Sequence, residues 1–156
     1  MSDQHPHARL IREFHDHQNL FYSGGDQGPV AAMLSDDVTW HVPGSSPIAG
    51  EYRGRGAVLS YFARRRELAD ATFRIEVRGV LADGERTVIL AGGEVEYGGE
   101  TFAWGTVGIF RLADARIAEC WVVPYDQRAF DEIWSSLVDR SARFGTRSSN
   151  TPRATQ

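Results

Sequence analysis

The segment LSDDVTWHVPG, residues 34–44, joins a short alternating run of hydrophobic residues to a Pro-Gly turn. Successive side chains of a strand point to opposite faces, so Trp40 and Val42 share one face and His41 falls on the other. Burying the two hydrophobic side chains turns His41 outward, unless the strand bulges at Pro43. The segment therefore predicts a half-buried strand with a histidine on its second face.

Helical patterns flank this strand. Upstream, residues at spacings of three and four predict a first helix, with a hydrophobic stripe of Leu10, Ile11, Phe14, Gln18 and Phe21. Pro29 suits the first turn of a short second helix. Downstream, GEYRG at residues 50–54 is expected to pair with the strand before a third helix. Its core stripe is predicted to be Val58, Leu59, Phe62 and Leu68, with Arg64, Arg65 and Arg66 facing outward.

After Asp70 the hydrophobic period changes from helical to alternating. A half-buried strand is predicted where Phe73, Ile75 and Val77 alternate with polar residues. Three more strands, joined by turn residues, are predicted at Thr87–Tyr97, Thr101–Leu112 and Arg116–Val123. A last helix is predicted from Asp126 to Arg140. Helices grouped first and an antiparallel meander afterwards are typical of an α+β domain. We predict a cone-shaped, curved antiparallel or mixed sheet wrapped around three N-terminal helices, with a short C-terminal helix.

The chain has the length of one domain, which we place at residues 8–140 between a flexible tail at 1–7 and a polar, disordered tail at 141–156. Its 17 basic residues are all arginines, and the net charge of −4 disfavours nucleic acid as a partner. One cysteine excludes a disulfide scaffold. No hydrophobic run is long enough to cross a bilayer, and we expect a cytoplasmic protein that does not bind membranes.

Histidine and cysteine spacings do not suggest a metal site. His15 and His17 lie two residues apart on a predicted helix and therefore point in different directions. Cys120 lies within a strand and is interpreted as a small buried residue. We predict no metal and no cofactor.

An aromatic pocket is predicted on the inner face of the sheet. Trp104 shares a strand face with Phe102, Thr106 and Phe110, and Gly108 leaves a gap among them. Such aromatic sets more often form a core than a pocket wall. However, the indole N–H groups of Trp40 and Trp104 need hydrogen-bond partners, which favours a site open to water or a ligand.

The chain resembles the nuclear transport factor 2-like superfamily, in particular its SnoaL-like and ketosteroid-isomerase-like proteins. Residues 34–44 and 50–54 carry the resemblance, with FRL at 110–112, ARIAE at 115–119 and the closing Trp121. The resemblance extends over roughly residues 10–134. It implies a cone-shaped α+β barrel, a homodimer that packs sheet against sheet, and a mostly apolar pocket. Members of this superfamily include isomerases, polyketide cyclases, dehydratases, epoxide hydrolases and proteins that only bind ligands.

The catalytic groups of the steroid isomerases are missing at the matching positions. Val42 stands where that group has its aspartate base, and Gly108 stands at or beside the position of its oxyanion-binding acid. Gln18 and Phe62 stand near the positions of its two tyrosines. The resemblance therefore does not imply steroid isomerase activity.

Our sequence-based hypothesis is a cofactor-independent acid–base enzyme that isomerises, cyclises or dehydrates an apolar small molecule, as a polyketide cyclase does. His41 or Asp126 would move the proton. The predicted substrate-binding residues are Gln18, Tyr22, Trp40, Val42, Phe62, Trp104, Gly108, Cys120 and Tyr125. The alternative hypothesis is a binding protein for a hydrophobic metabolite, because the family's acid–base residues are absent. A third is an interaction subunit whose sheet surface contacts another chain.

Overall fold

The computed structural model describes residues 5–154, with side chains described from residue 5 to residue 142. Along these residues the elements follow in the order α1 (Pro6–Tyr22), α2 (Gly28–Ala32), β1 (Leu34–Val42), β2 (Gly50–Arg53), α3 (Arg55–Leu68), β3 (Arg74–Ala82), β4 (Thr87–Tyr97), β5 (Glu100–Ala113), β6 (Arg116–Pro124) and α4 (Gln127–Ala154). All of these helices except α4 precede the meander of strands β3–β6. This order confirms the predicted α+β class.

The strands form one mixed sheet in the order β2-β1-β6-β5-β4-β3. β1 runs parallel to β6, where Trp40 lies beside Cys120 and His41 beside Trp121. The other neighbours are antiparallel. β2 and β3 end the sheet without pairing to each other, so the sheet stays open.

The sheet curves around α1 and α3, as the alternation of hydrophobic residues predicted. Register shifts interrupt three of its ladders, between Val77 and Gly79 in β3, between Arg111 and Leu112 in β5, and early in β1. An extra residue in a ladder bends the strand and increases its twist. The concave face carries the hydrophobic core, in which Phe14 of α1, Phe62 of α3 and Trp40 of β1 contact one another.

A pair of hydrogen bonds fixes α1 against the edge of the sheet. The Asn19 side chain donates to the carbonyl of Ile75 at 2.8 Å and accepts from its N–H at 2.8 Å. The amide thus pairs with β3 as a neighbouring strand would. It positions α1 against β3, and with it Gln18, the preceding residue, and His15, one turn earlier.

Several boundaries differ from the predicted ones. α1 already begins at Pro6, and α4 continues past the predicted end at Arg140 to Ala154. Residues 141–154 of the predicted C-terminal tail therefore lie on a helix, while the tail residues 1–4 and 155–156 lie outside the described residues. Among the described residues, no helix combines the length and hydropathy that a membrane crossing requires.

Candidate functional site

A partly open cavity of about 50 Å³ lies between α1, α3 and the concave face of the sheet. Five of the residues predicted from the sequence line it, namely Gln18, Trp40, Trp104, Gly108 and Cys120. His15, Arg65, Phe73 and Phe130 also contribute to its wall. The enclosed volume suits a few water molecules or a ligand group of a few heavy atoms, because one water needs at least about 10–15 Å³.

Two glycines shape the sheet side of this cavity. A Cβ on Gly93 would overlap the indole of Trp104, its cross-strand partner on β5, so only glycine lets that ring lie over β4. A Cβ on Gly108 would come within 3.0 Å of Ile89 and Phe110. Ile89 and Phe110 therefore fill the space that a side chain at position 108 would take, and the gap predicted at Gly108 is closed by these neighbours.

His15 is the histidine that lines the cavity. It is 4% exposed, and its ring lies edge-on to those of Phe14 and Phe110. Its Nδ1 lies 2.9 Å from the carbonyl oxygen of Ile11. Because a carbonyl can only accept, Nδ1 carries the proton of the neutral ring and Nε2 keeps its lone pair.

The pKa of His15 is lowered from 6.5 to about 4, mainly by burial; the hydrogen bond to Ile11 and the charge of Asp16 oppose the shift, and the charge of Arg65 adds a smaller lowering effect. A low dielectric disfavours the charged ring. His15 is therefore neutral at pH 7 and presents a proton acceptor in the core.

Arg65 corrects a sequence-based prediction, because it faces the core instead of the solvent. It is 5% exposed and lines the cavity. Its neighbours Arg64 and Arg66 do reach outward, and they bond backbone carbonyls. The buried positions of α3 include Val58 and Tyr61, and residue 65 follows them by seven and four positions, so helical spacing places it on the same face.

Other polar groups around the cavity lack protein partners. Gln18 donates through Nε2 to the hydroxyl of Tyr22 at 3.1 Å, but its Oε1 has no partner among the described residues. The indole N–H of Trp40 is likewise buried without an acceptor there. Buried polar groups nearly always find partners in folded proteins. These atoms therefore mark where a ligand or water would bond.

Four predicted binding residues lie outside the cavity wall. Tyr22 is buried behind it, where its hydroxyl bonds Gln18 and Arg65. Phe62 and Val42 belong to the packed core. Tyr125 is 62% exposed, and its ring lies over Gly105 on the outer face of the sheet.

The two predicted proton-transfer residues do not reach the cavity. His41 lies on the outer face of the sheet, as strand alternation required, where Nε2 is 2.6 Å from Glu119 and Nδ1 is 3.2 Å from Glu51. Its ring stacks on Trp121 with centroids 5.2 Å apart. The hydrogen bond from His41 holds the pKa of Glu119 below its usual range, with Arg111 assisting.

Asp126, the second predicted proton-transfer residue, is exposed at the start of α4. Its carboxylate accepts a hydrogen bond from the backbone N–H of Ala129 at 3.0 Å, which is a helix cap. Within the described part of the chain, no group of three or more His, Cys, Asp or Glu side chains is placed to hold a metal ion.

Comparison with solved structures shows the same fold in several proteins. Bal32a, from a soil-derived mobile gene cassette, superposes with a TM-score of 0.72 at 26% identity, covering 81% of this chain and 98% of its own. An NTF2-like protein from Burkholderia xenovorans gives 0.61 at 22% identity, covering 78% and 89%. TerC, co-crystallised with polyporic acid, gives 0.68 at 19% identity, covering 81% and 96%.

A comparison with curated proteins found no significant match. The family model of the SnoaL-like domain matches residues 11–120, which run from the buried face of α1 to the middle of β6. That span includes the elements that build the cavity, apart from Val122 and Phe130. The chain therefore belongs to the SnoaL-like family, and it shares its fold with an NTF2-like protein.

Proposed function

We propose that the protein is a cofactor-independent acid–base enzyme that isomerises, cyclises or dehydrates a small molecule held in the cavity, with His15 as the proton carrier. The observation that carries this proposal is a neutral histidine with a lone pair on Nε2, buried at the cavity wall. His15 replaces His41 and Asp126 in this role because neither of those side chains reaches the cavity.

The neighbouring groups suit the stabilisation of an enolate-like intermediate. Among the described residues the Trp40 N–H has no acceptor and the Gln18 carbonyl has no donor, so the first can donate to a developing oxyanion and the second can accept from a substrate hydroxyl. His15 Nε2 would take a proton from one atom of the substrate and return it to another, which leaves the histidine neutral again. In a dehydration the second atom is the oxygen of the departing hydroxyl, which leaves as water. A weak base needs such help, because the driving force for proton transfer falls as its pKa falls.

The comparisons support a small organic ligand. TerC, which has the same fold, was crystallised with polyporic acid. The wall of this cavity is rich in aromatic side chains, including Phe73 and Trp104, which favours an aromatic or polyketide-like substrate.

The decisive experiment compares turnover by wild-type protein with turnover by a His15→Gln variant. The substrate would first be sought by native mass spectrometry of protein purified from its own host. Loss of the proton carrier should lower kcat by about 100-fold or more. His17→Gln is the matched control, since His17 lies on the same helix, is paired with Glu13 and does not line the cavity. Equal kcat for wild type and His15→Gln would refute the assignment.

A ligand-binding role without chemistry is the second candidate. No acidic side chain is among the cavity-lining residues in the described part of the chain, so a carboxylate base is missing there. Incubation with the co-purified molecule separates the two candidates, because a binding protein returns it unchanged and an enzyme converts it.

We also propose a homodimer formed through the outer face of the sheet. This face carries exposed hydrophobic side chains, among them Leu90, Val123 and Tyr125 at 40%, 43% and 62% exposure. Exposed apolar patches on a sheet commonly mark protein interfaces. Light scattering in solution tests the mass of the particle.

A further inference from the structure

We propose that the cavity recognises its ligand through a carboxylate, which pairs with the guanidinium group of Arg65. This inference rests on the same cavity as the proposed function and adds the chemical class of the ligand. It does not depend on catalysis. It begins from a buried arginine, Arg65, for which the described residues supply no carboxylate partner.

The Arg65 side chain is enclosed by aromatic rings. Its guanidinium carbon lies 4.3 Å from the ring centroid of Tyr61, 4.9 Å from that of Phe73 and 5.4 Å from that of Tyr22. Aromatic faces attract cations but carry no net charge. The rings therefore hold the guanidinium in place and leave its charge uncompensated.

Most N–H groups of the Arg65 guanidinium have no hydrogen-bond acceptor among the described residues. Nη2 donates to the Tyr22 hydroxyl, and it is the one nitrogen of the group with a hydrogen-bond partner among the described residues. Nε is buried and has no acceptor there. A planar guanidinium presents its donors as a fork that matches two carboxylate oxygens.

Nearby protein groups do not supply the missing anion. In the described part of the chain no Asp or Glu forms an ion pair with Arg65, whereas the exposed Arg53, Arg78 and Arg128 all have carboxylate partners. Burial raises the pKa of the Tyr22 hydroxyl to about 12 and raises that of the Cys120 thiol as well. Both groups are therefore neutral at pH 7.

A buried charge normally has a partner, because its desolvation is otherwise uncompensated. Arg65 lines the cavity, so an anionic ligand that enters the cavity can reach this side chain. Its volume of about 50 Å³ accommodates a carboxylate with a few further atoms, while a larger ligand extends through the open side.

Binding of an anion at this position would also affect His15. The charge of Arg65 is one of the causes that lower the pKa of His15. A carboxylate bound to Arg65 opposes that effect and makes Nε2 a stronger base. The ligand would thus activate the proton carrier that the proposed function requires.

Two pairs of probes of matched shape test the proposal, acetate against acetamide and benzoate against benzamide, titrated into the full-length protein and followed by NMR. Charge-assisted hydrogen bonds predict that wild-type protein binds each acid about 10- to 100-fold more tightly than its amide. In Arg65→Met this preference should disappear. The matched control is Arg64→Met, which removes an arginine that bonds the exposed Pro47 carbonyl, and it should keep the preference.

Wild-type protein that binds the acids no better than the amides, or not at all, overturns the proposal, as does an Arg65→Met variant that keeps the preference. If Arg65→Met does not fold, Arg65→Lys keeps the charge without the planar fork and should bind the acids more weakly than wild type but still prefer them. His15→Gln should retain the acid preference while losing turnover, so failure of the catalytic proposal is distinguishable from failure of this one.

Discussion

Replacing His15 with leucine should make folding less sensitive to acid. The buried ring has a folded-state pKa of about 4 against 6.5 for an ordinary histidine. Between these values the unfolded chain binds a proton that the folded chain does not, so the free energy of unfolding falls as the pH is lowered. The contribution of His15 is complete above pH 6.5 and is lost progressively down to about pH 4.

The size of this contribution follows from the two pKa values. One pKa unit corresponds to about 1.4 kcal/mol, so His15 contributes roughly 3 kcal/mol over the whole range. About 2 kcal/mol of it should be lost between pH 7 and pH 5, because the unfolded histidine is largely protonated at the lower pH. The ring is almost fully buried, so solvent screening does not reduce this value much.

The measurement is urea unfolding of wild type and His15→Leu at pH 7, 6 and 5. Other groups, such as Glu119 with its lowered pKa, contribute equally to both proteins and cancel in the difference. Ile11→Val is the control, since it removes one buried methyl group from the same helix and should cost about 1 kcal/mol at every pH. If wild type and His15→Leu lose the same stability on acidification, the histidine is not buried in its neutral form.

Three further outcomes are expected. Gly93→Ala should lower the free energy of unfolding by about 1 to 3 kcal/mol, because its methyl group overlaps the ring of Trp104. The control is Gly84→Ala, whose added methyl group meets open space and should change the free energy of unfolding by less than about 0.5 kcal/mol. Equal losses of stability for the two variants in urea unfolding would contradict this reasoning. Burial raises the pKa of the Cys120 thiol, so a thiol reagent at pH 7 should label it only as the protein opens, and rapid labelling would show an accessible thiol. Leu90→Asp should shift the particle measured by light scattering from dimer to monomer, whereas an unchanged dimer would place the interface elsewhere.

Hydrophobic periodicity was sufficient to predict the sheet and the helices around it. The strand Thr87–Tyr97 has the predicted ends, and its inward face includes Ile89, Ala91 and Val95, as alternation required. Helix ends were less predictable. Polar residues after Arg140 gave no hydrophobic stripe, yet α4 continues to Ala154. Composition alone does not locate the end of such a helix.

The cavity wall was predicted in part, and the charged groups in it were missed. Strand parity correctly placed Trp40, Trp104 and Cys120 on the inner face. The pair His15 and His17 raises only the question of metal binding, although the position of His15 four residues after Ile11 puts it on the buried face of α1. The charge of Arg65 predicts a surface position. In both cases helical spacing indicates the buried position and residue type does not.

Strand geometry also explains why the proposed proton carrier comes from a helix. On β1, adjacent residues face opposite sides, so Trp40 and His41 cannot both reach the cavity. Packing the larger apolar ring inward sends the histidine outward, where its ring nitrogens lie 3.2 Å from Glu51 and 2.6 Å from Glu119. On α1, by contrast, positions 11, 14, 15 and 18 share one buried face, and a single turn can place hydrophobic and polar side chains side by side. The first helix can therefore present both the proposed proton carrier, His15, and the amide of Gln18 to one ligand.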